Sequence, residues 1–190
     1  MKRGFNPPCA MPKAALILLC IFLSSAVLVE AKPSKVDVST VPYLDLPKYM
    51  GRWYIISHVP NRAEKGKVGT SDSYEKRADG RIDVIFSYRK KSLTAPEKHE
   101  KAVARVVNPG THAQWRVKQS WLSTEDYAVL ELDPEYRWSV VAASGGKLVW
   151  VLSRTPSLDD KDYSEAMQRL TQRGIDPGKM EKVPQTMEQK

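Results

Sequence analysis

From Arg52 to Ser153 the chain is a succession of β-prone runs, most of them joined by turn-like links. The predicted strands are Arg52–Val59, Thr70–Lys76, Arg81–Tyr88, Lys98–Val107, Ala113–Ser120, Tyr127–Leu132, Arg137–Ala143 and Lys147–Ser153. Between them fall Ala78-Asp79-Gly80, Asn108-Pro109-Gly110, Asp133-Pro134-Glu135 and Ser144-Gly145-Gly146, all turn sequences. A parallel neighbour needs a crossover of about a dozen residues or more, so short links force antiparallel pairing. Eight antiparallel strands with hairpin links predict an up-and-down barrel or a sandwich.

The third strand alternates most clearly. Ile82, Val84, Phe86 and Tyr88 share one face, opposite Asp83, Ser87 and Arg89, with Ile85 the exception. The fifth sets Trp115 and Val117 against Arg116 and Lys118. Such strands have one dry and one wet face. The eighth is apolar on both faces through Leu148-Val149-Trp150-Val151-Leu152, so something must cover its outside. The candidate is a helix over Ser157 to Arg173, with Ser157 as N-cap and Asp159 and Asp160 in the first turn. Its apolar face is Tyr163, Ala166, Met167 and Leu170, and Gly174 stops it. Val41 to Tyr49 allows a short helical turn at most, interrupted by Pro42 and Pro47. A short extended piece is expected around Met180 to Val183.

Residues 1–31 read as a signal peptide. Lys2, Arg3 and Lys13 precede the apolar run Ala14 to Val29, and Val29-Glu30-Ala31 resembles a cleavage site. Met11 is an alternative start with a more typical short basic leader. A retained anchor is the competing reading, but a span usually needs about twenty apolar residues. Lipidation at Cys20 is a third; Leu19 stands where that processing wants a small residue. Cleavage after Ala31 leaves no cysteine, since Cys9 and Cys20 are both upstream. Residues 32–40 form a polar linker, and the domain runs over 41–190. The formal charge of +8 is scattered, which favours a solvated surface over nucleic-acid binding and leaves association with a membrane surface open. His58, His99 and His112 show no metal-ligand spacing, and no metal or cofactor is implied.

Three motifs in order sharpen the reading. Gly51-Arg52-Trp53-Tyr54 opens the first strand, with a glycine bend before a large indole. Thr124-Glu125-Asp126-Tyr127 reads as a corner before a strand, and Ser153-Arg154-Thr155-Pro156 closes the last one. Together they resemble the lipocalin family, in its bacterial and apolipoprotein-D-like branch, over about Val41 to Gln185. Leu132-Asp133-Pro134-Glu135-Tyr136-Arg137 adds to that likeness. The chain departs where the bacterial branch often has an aromatic-Gly-Gly-Tyr sequence; Trp121-Leu122-Ser123 stands there instead. The resemblance implies an all-β fold with one flanking helix: an eight-stranded antiparallel up-and-down β-barrel, or calyx. Gly51, Trp53, Asp126, Tyr127 and Arg154 are then structural, with Arg154 lying across the indole of Trp53.

A barrel of eight strands encloses room for one small ligand. Alternation turns Ile55, Val84, Phe86, Tyr88, Trp115, Val117, Leu130, Trp138 and Val140 inward. Leu130 and Trp138 are the less secure assignments, because their strands are apolar on both sides. Such a lining suits an acyl chain, at roughly 0.8 kcal/mol gross per buried methylene. Arg89, Lys90, Lys91 and Lys118, near strand ends, are candidates for an anionic head and equally a plain solvated rim. The resemblance implies an exported carrier of a fatty acid, lysophospholipid or similar amphiphile, in periplasm, outer membrane or medium. Two other classes remain: a lipid-processing enzyme on the same barrel, and a filled-barrel structural or interaction protein. The first lacks a Gly-x-Ser-x-Gly elbow, and Ser57 and His58 point to opposite faces as strand neighbours.

Overall fold

The computed structural model describes Met1, Gly4, residues 35–118 and residues 124–187. The chain divides into two units, Met1–Lys32 and Pro33–Lys190. Only Met1 and Gly4 of the first are described. The signal-peptide reading, both cysteines, Met11, Ala31 and Trp121-Leu122-Ser123 therefore lie outside the described residues.

The second unit contains strands β1 Gly51–His58, β2 Lys67–Lys76, β3 Ile82–Lys90, β4 Lys98–Val106, β5 Gln114–Lys118, β6 Thr124–Leu132, β7 Trp138–Ala143, β8 Leu148–Ser153 and β9 Glu181–Lys182. Helix α1 covers Leu46–Tyr49 and helix α2 Asp160–Gln172. The strands run β2-β3-β4-β5-β6-β7-β8-β1-β9, and β1 also pairs with β2. That last pairing closes β1 to β8 into an antiparallel barrel. β9 pairs with β1 at Ser57↔Lys182 and His58↔Glu181. It carries the tail up to the place where β1 and β2 no longer pair. There Gly69 N donates to Pro184 O, and Val183 N donates to Ile56 O.

Most predicted strands shift by a residue or two. The larger changes, three residues each, are β2, which begins at Lys67, and β6, which begins at Thr124, because Thr124, Glu125 and Asp126 pair with Lys118, Val117 and Arg116. Those polar residues are strand, not the corner their sequence suggested. The tight corner beside the barrel floor is Asp133 to Arg137, where Asp133 accepts from the Glu135 and Arg137 amides. The cap of α2 also moves: Asp159 accepts from the Asp162 amide at 2.8 Å, in place of the expected Ser157. Gly174, at φ 73°, ends the helix as predicted.

Two apolar clusters result. One fills the barrel around Trp53, Ile55, Tyr74, Ile82, Trp115, Val117, Val129, Val141 and Leu152. The other lies outside it, where Val149 and Val151 meet Ala166 and Leu170 of α2. The eighth strand is thus apolar on both faces because α2 covers its outer one. Arg137 ties this helix to the floor corner, bonding Asp133 at 2.8 Å and Asp162 at 2.6 Å.

Arg154 seals the lower end. Its guanidinium lies 3.8 Å from the centre of the Trp53 ring. It also donates to the carbonyls of Lys48, at 2.6 Å, and of Met50 and Arg52, each at 3.0 Å. One cation thereby satisfies carbonyls at the end of α1 and the start of β1. Gly51 makes the bend, at φ 93°, a conformation that strains any residue with a Cβ. Arg154→Ala is expected to cost about 2–3 kcal/mol, from the lost cation–π contact and charge-assisted bonds. Thermal melts should rank parent above Arg154→Lys above Arg154→Ala; equal melting temperatures would contradict this role.

Candidate functional site

The floor of the barrel is aromatic and packed. Tyr49 sits 4.9 Å from Trp53, 5.7 Å from Tyr74 and 5.7 Å from Trp115, ring centre to ring centre. Trp115 stacks on Tyr127 at 5.3 Å and meets Tyr74 edge-on at 5.2 Å. The polar edges of these rings have partners. Trp53 Nε1 donates to Tyr49 O, Tyr49 and Ser139 share a hydroxyl bond, and Tyr74 and Tyr127 share one at 2.8 Å. Burial pushes Tyr49 up to about 12 and Tyr74 and Tyr127 well above the usual phenol range. All three hydroxyls stay neutral and able to donate.

Above this floor the lumen is open in part. Val84, Phe86, Tyr127 and Trp150 pack against the inner cluster and keep partial solvent exposure. Asp72 joins them, for β2 sets it opposite Trp53 on one side and Phe86 on the other. Its side chain is partly buried on the inner face. Tyr74 Oη donates to its Oδ2 at 3.3 Å. Burial, reinforced by the charge of Glu64, raises Asp72 to about 7 against the bond from Tyr74.

The open end lies where β1, β3, β5 and β7 finish. Here Glu64, from the loop between β1 and β2, accepts from Trp150 Nε1 at 2.8 Å and lies 3.1 Å from His58 Nδ1. Burial alone would raise Glu64, but its bonds to His58, Trp150 and Asn61 outweigh that and hold it below the usual range. Across the rim, Lys67 pairs with Glu100 at 3.0 Å while its ammonium rests 3.9 Å from the centre of the Tyr88 ring and 4.6 Å from that of Phe86.

The structure sorts the predicted lining residues. Ile55, Val84, Phe86, Trp115 and Val117 belong to the inner cluster, and Tyr88 shares their face through its stack on Phe86. Trp115 is wholly buried among the floor rings. Leu130, Trp138 and Val140 are corrected: all three lie in the outer cluster with Ala166 and Leu170 of α2. Their strands are apolar on both faces, and a bulge between Val129 and Glu131 breaks the alternation at Leu130. Tyr127 was expected to be structural and forms part of the lumen wall, whereas Asp126 is exposed and pairs with Arg116.

The four predicted head-group cations disperse. Arg89 turns outward toward Glu97, Lys91 sits in the turn after β3, and Lys118 lines an outer groove of about 770 Å³. Lys90 alternates with Arg89 and so takes the inner face, near enough to Glu100 to lower it. Sequence reasoning missed Lys67, Asp72, Tyr74 and Glu64. A face shared by Thr70, Asp72 and Tyr74 was legible by alternation, but a carboxylate does not fit an apolar pattern. On the outer face, Ser87 Oγ lies 2.9 Å from His99 Nδ1, yet Ser87 is only 2% exposed and offers no approach to a carbonyl.

A closed eight-stranded antiparallel barrel, sealed by an arginine across a tryptophan and flanked by one helix, defines a calyx fold. The family model of the lipocalin-like domain matches residues 44–185, and the chain belongs to that family. It is 29% identical over 163 residues to temperature-induced lipocalin-1 of Arabidopsis thaliana, covering 80% of this chain and 85% of that one. It is 30% identical over 142 residues to the outer membrane lipoprotein Blc of Escherichia coli K12, covering 75% and 80%. Among solved structures, insecticyanin from the tobacco hornworm Manduca sexta superposes with a TM-score of 0.63 at 16% identity, covering 80% and 86%. Lipocalins bind small hydrophobic ligands and typically act as binding or carrier proteins.

Two substitutions test the sorting of inner from outer residues. Leu130→Ala is expected to cost about 2–5 kcal/mol of stability as a core truncation and to leave affinity for a lumen ligand unchanged. Urea unfolding beside a binding isotherm checks both; weakened binding would put Leu130 on the lumen. Asp72→Asn tests the buried acid. Its proton is held more tightly in the folded chain, about 7 against an ordinary value near 3.8, so ionisation opposes folding. The cost is absent below the lower value, grows between the two and is complete above the higher. Asp72→Asn should therefore raise the melting temperature more at pH 8 than at pH 4; an equal gain at both would place Asp72 in contact with water.

Proposed function

We propose that the protein is an exported carrier that holds a small hydrophobic or amphiphilic molecule, such as a fatty acid or lysophospholipid, in the upper half of its barrel. The observation that carries this reading is the contrast within the lumen: a fully packed aromatic floor below inward-facing Val84, Phe86 and Trp150 that retain exposure. Ile55, Val84, Phe86, Tyr88 and Val117 are the proposed apolar contacts, with Trp115 and Tyr127 at the foot of the cavity. Lys67 and Lys90 are the rim cations that an anionic head would meet. Export is supported by the outer membrane lipoprotein named among the relatives and by the apolar leader at the N-terminus.

The test is titration of tryptophan fluorescence with decanoate, since Trp150 faces the lumen and Trp115 lies directly beneath it. Saturable quenching at one ligand per chain is expected. Phe86→Ala should weaken it about tenfold, the equivalent of about 1.4 kcal/mol of lost apolar contact. A parent protein with no saturable change would speak for a filled barrel, and turnover of a lipid ester would speak for an enzyme.

A further inference from the structure

Within that carrier reading, on which this step rests, we infer that the ligand class the lumen is built for is an amine: an apolar or aromatic body whose ammonium is received by Asp72, beside the hydroxyls of Tyr74 and Tyr127. The lumen and its rim hold four acids; two have a basic partner, and a third, Glu125 opposite Val117, accepts from the Ser144 hydroxyl. Glu64 lies 3.1 Å from His58, and Glu100 lies 3.0 Å from Lys67. Asp72 has none among the described residues; it accepts from Tyr74 Oη at 3.3 Å. A carboxylate drawn out of water without a counter-ion is costly, and an asparagine of nearly the same shape would remove the charge. Two residues along β2, the buried hydroxyl of Thr70 also lacks a partner among the described residues.

An ammonium placed at Asp72 resolves the imbalance. It supplies the missing positive charge and donates to the carboxylate. It also comes beside the linked hydroxyls of Tyr74 and Tyr127, whose oxygens can accept from it. The charged and titratable groups that bear on Asp72 are Glu64, whose charge adds to the negative potential, and the neutral phenols of Tyr74, Tyr127 and Tyr49. A cation on this face, Lys67, lies 4.6 Å from the centre of the Phe86 ring, and Glu100 neutralises it at 3.0 Å. A fatty acid meets the reverse situation. Its carboxylate would stay at the rim by Lys67 and Lys90, and its methyl end would point at Asp72. The two ligand classes are thus expected to bind in opposite senses and with different strength.

The experiment compares decylamine with decanoate, matched in chain length, by fluorescence titration at pH 8, where Asp72 is ionised. Decylamine should bind at least tenfold more tightly. Asp72→Asn, shown by its melting curve to be folded, should abolish that preference by weakening the amine at least tenfold and leaving decanoate equal or tighter. In the parent, affinity for the amine should also fall as the pH drops below about 7, while that for a neutral alcohol of the same length stays level. Decanoate binding as tightly as decylamine, or a preference that survives in Asp72→Asn, overturns the amine assignment and leaves the carrier reading standing. Failure of every one of these ligands to bind overturns both.

Discussion

One guanidinium holds the lower end of this molecule together. Arg154, at the close of the last barrel strand, reaches under the first strand to three carbonyls and sits 3.8 Å over the Trp53 ring. It therefore joins β8, β1 and the short α1 helix at a single point. A barrel needs such a seal. The strands splay at their ends, and a floor left open would admit water beneath the rings of Tyr49, Tyr74 and Trp115. Half-buried and bonded on several sides, the cation escapes the usual weakness of a surface charge. The aromatic floor depends on that closure, and the lumen depends on the floor.

The division of the interior follows. Below, five aromatic rings pack against one another and direct their polar atoms to each other, to the backbone, or to Ser139 and Asp72. Above, the walls are apolar but incompletely covered, and the rim is stitched by Lys67 to Glu100 and by Glu64 to His58 and Trp150. Asp72 lies between the two zones. Its burial works against folding at neutral pH, the feature on which the proposed amine site rests. The tail adds a further closure, since Pro184, Val183 and Gln185 bond across the opening between β1 and β2.

Much of the architecture was legible in the residues. Short links told of antiparallel neighbours, and the doubly apolar eighth strand told of the helix that covers it. Gly51 and Trp53, with Arg154 far downstream in sequence, marked the seal. Legibility failed where alternation carries no information. Leu130, Trp138 and Val140 sit in strands apolar on both sides, so pattern could not choose a face, and the bulge at Leu130 breaks the period besides. The start of β6 was hidden because Thr124, Glu125 and Asp126 look like a turn until β5 is seen to pair with them. Asp72 and Lys67 escaped for a related reason: a search for a greasy lining passes over charged residues, and only the register shows where they point.

The most direct test of a sealed, partly hollow barrel is native mass spectrometry of the protein purified from its own host. The account predicts a population carrying one small molecule per chain, held under gentle conditions and released on activation as an apolar body with a polar end. A protein that flies only as the bare chain, and whose organic extract contains no such molecule, would contradict it.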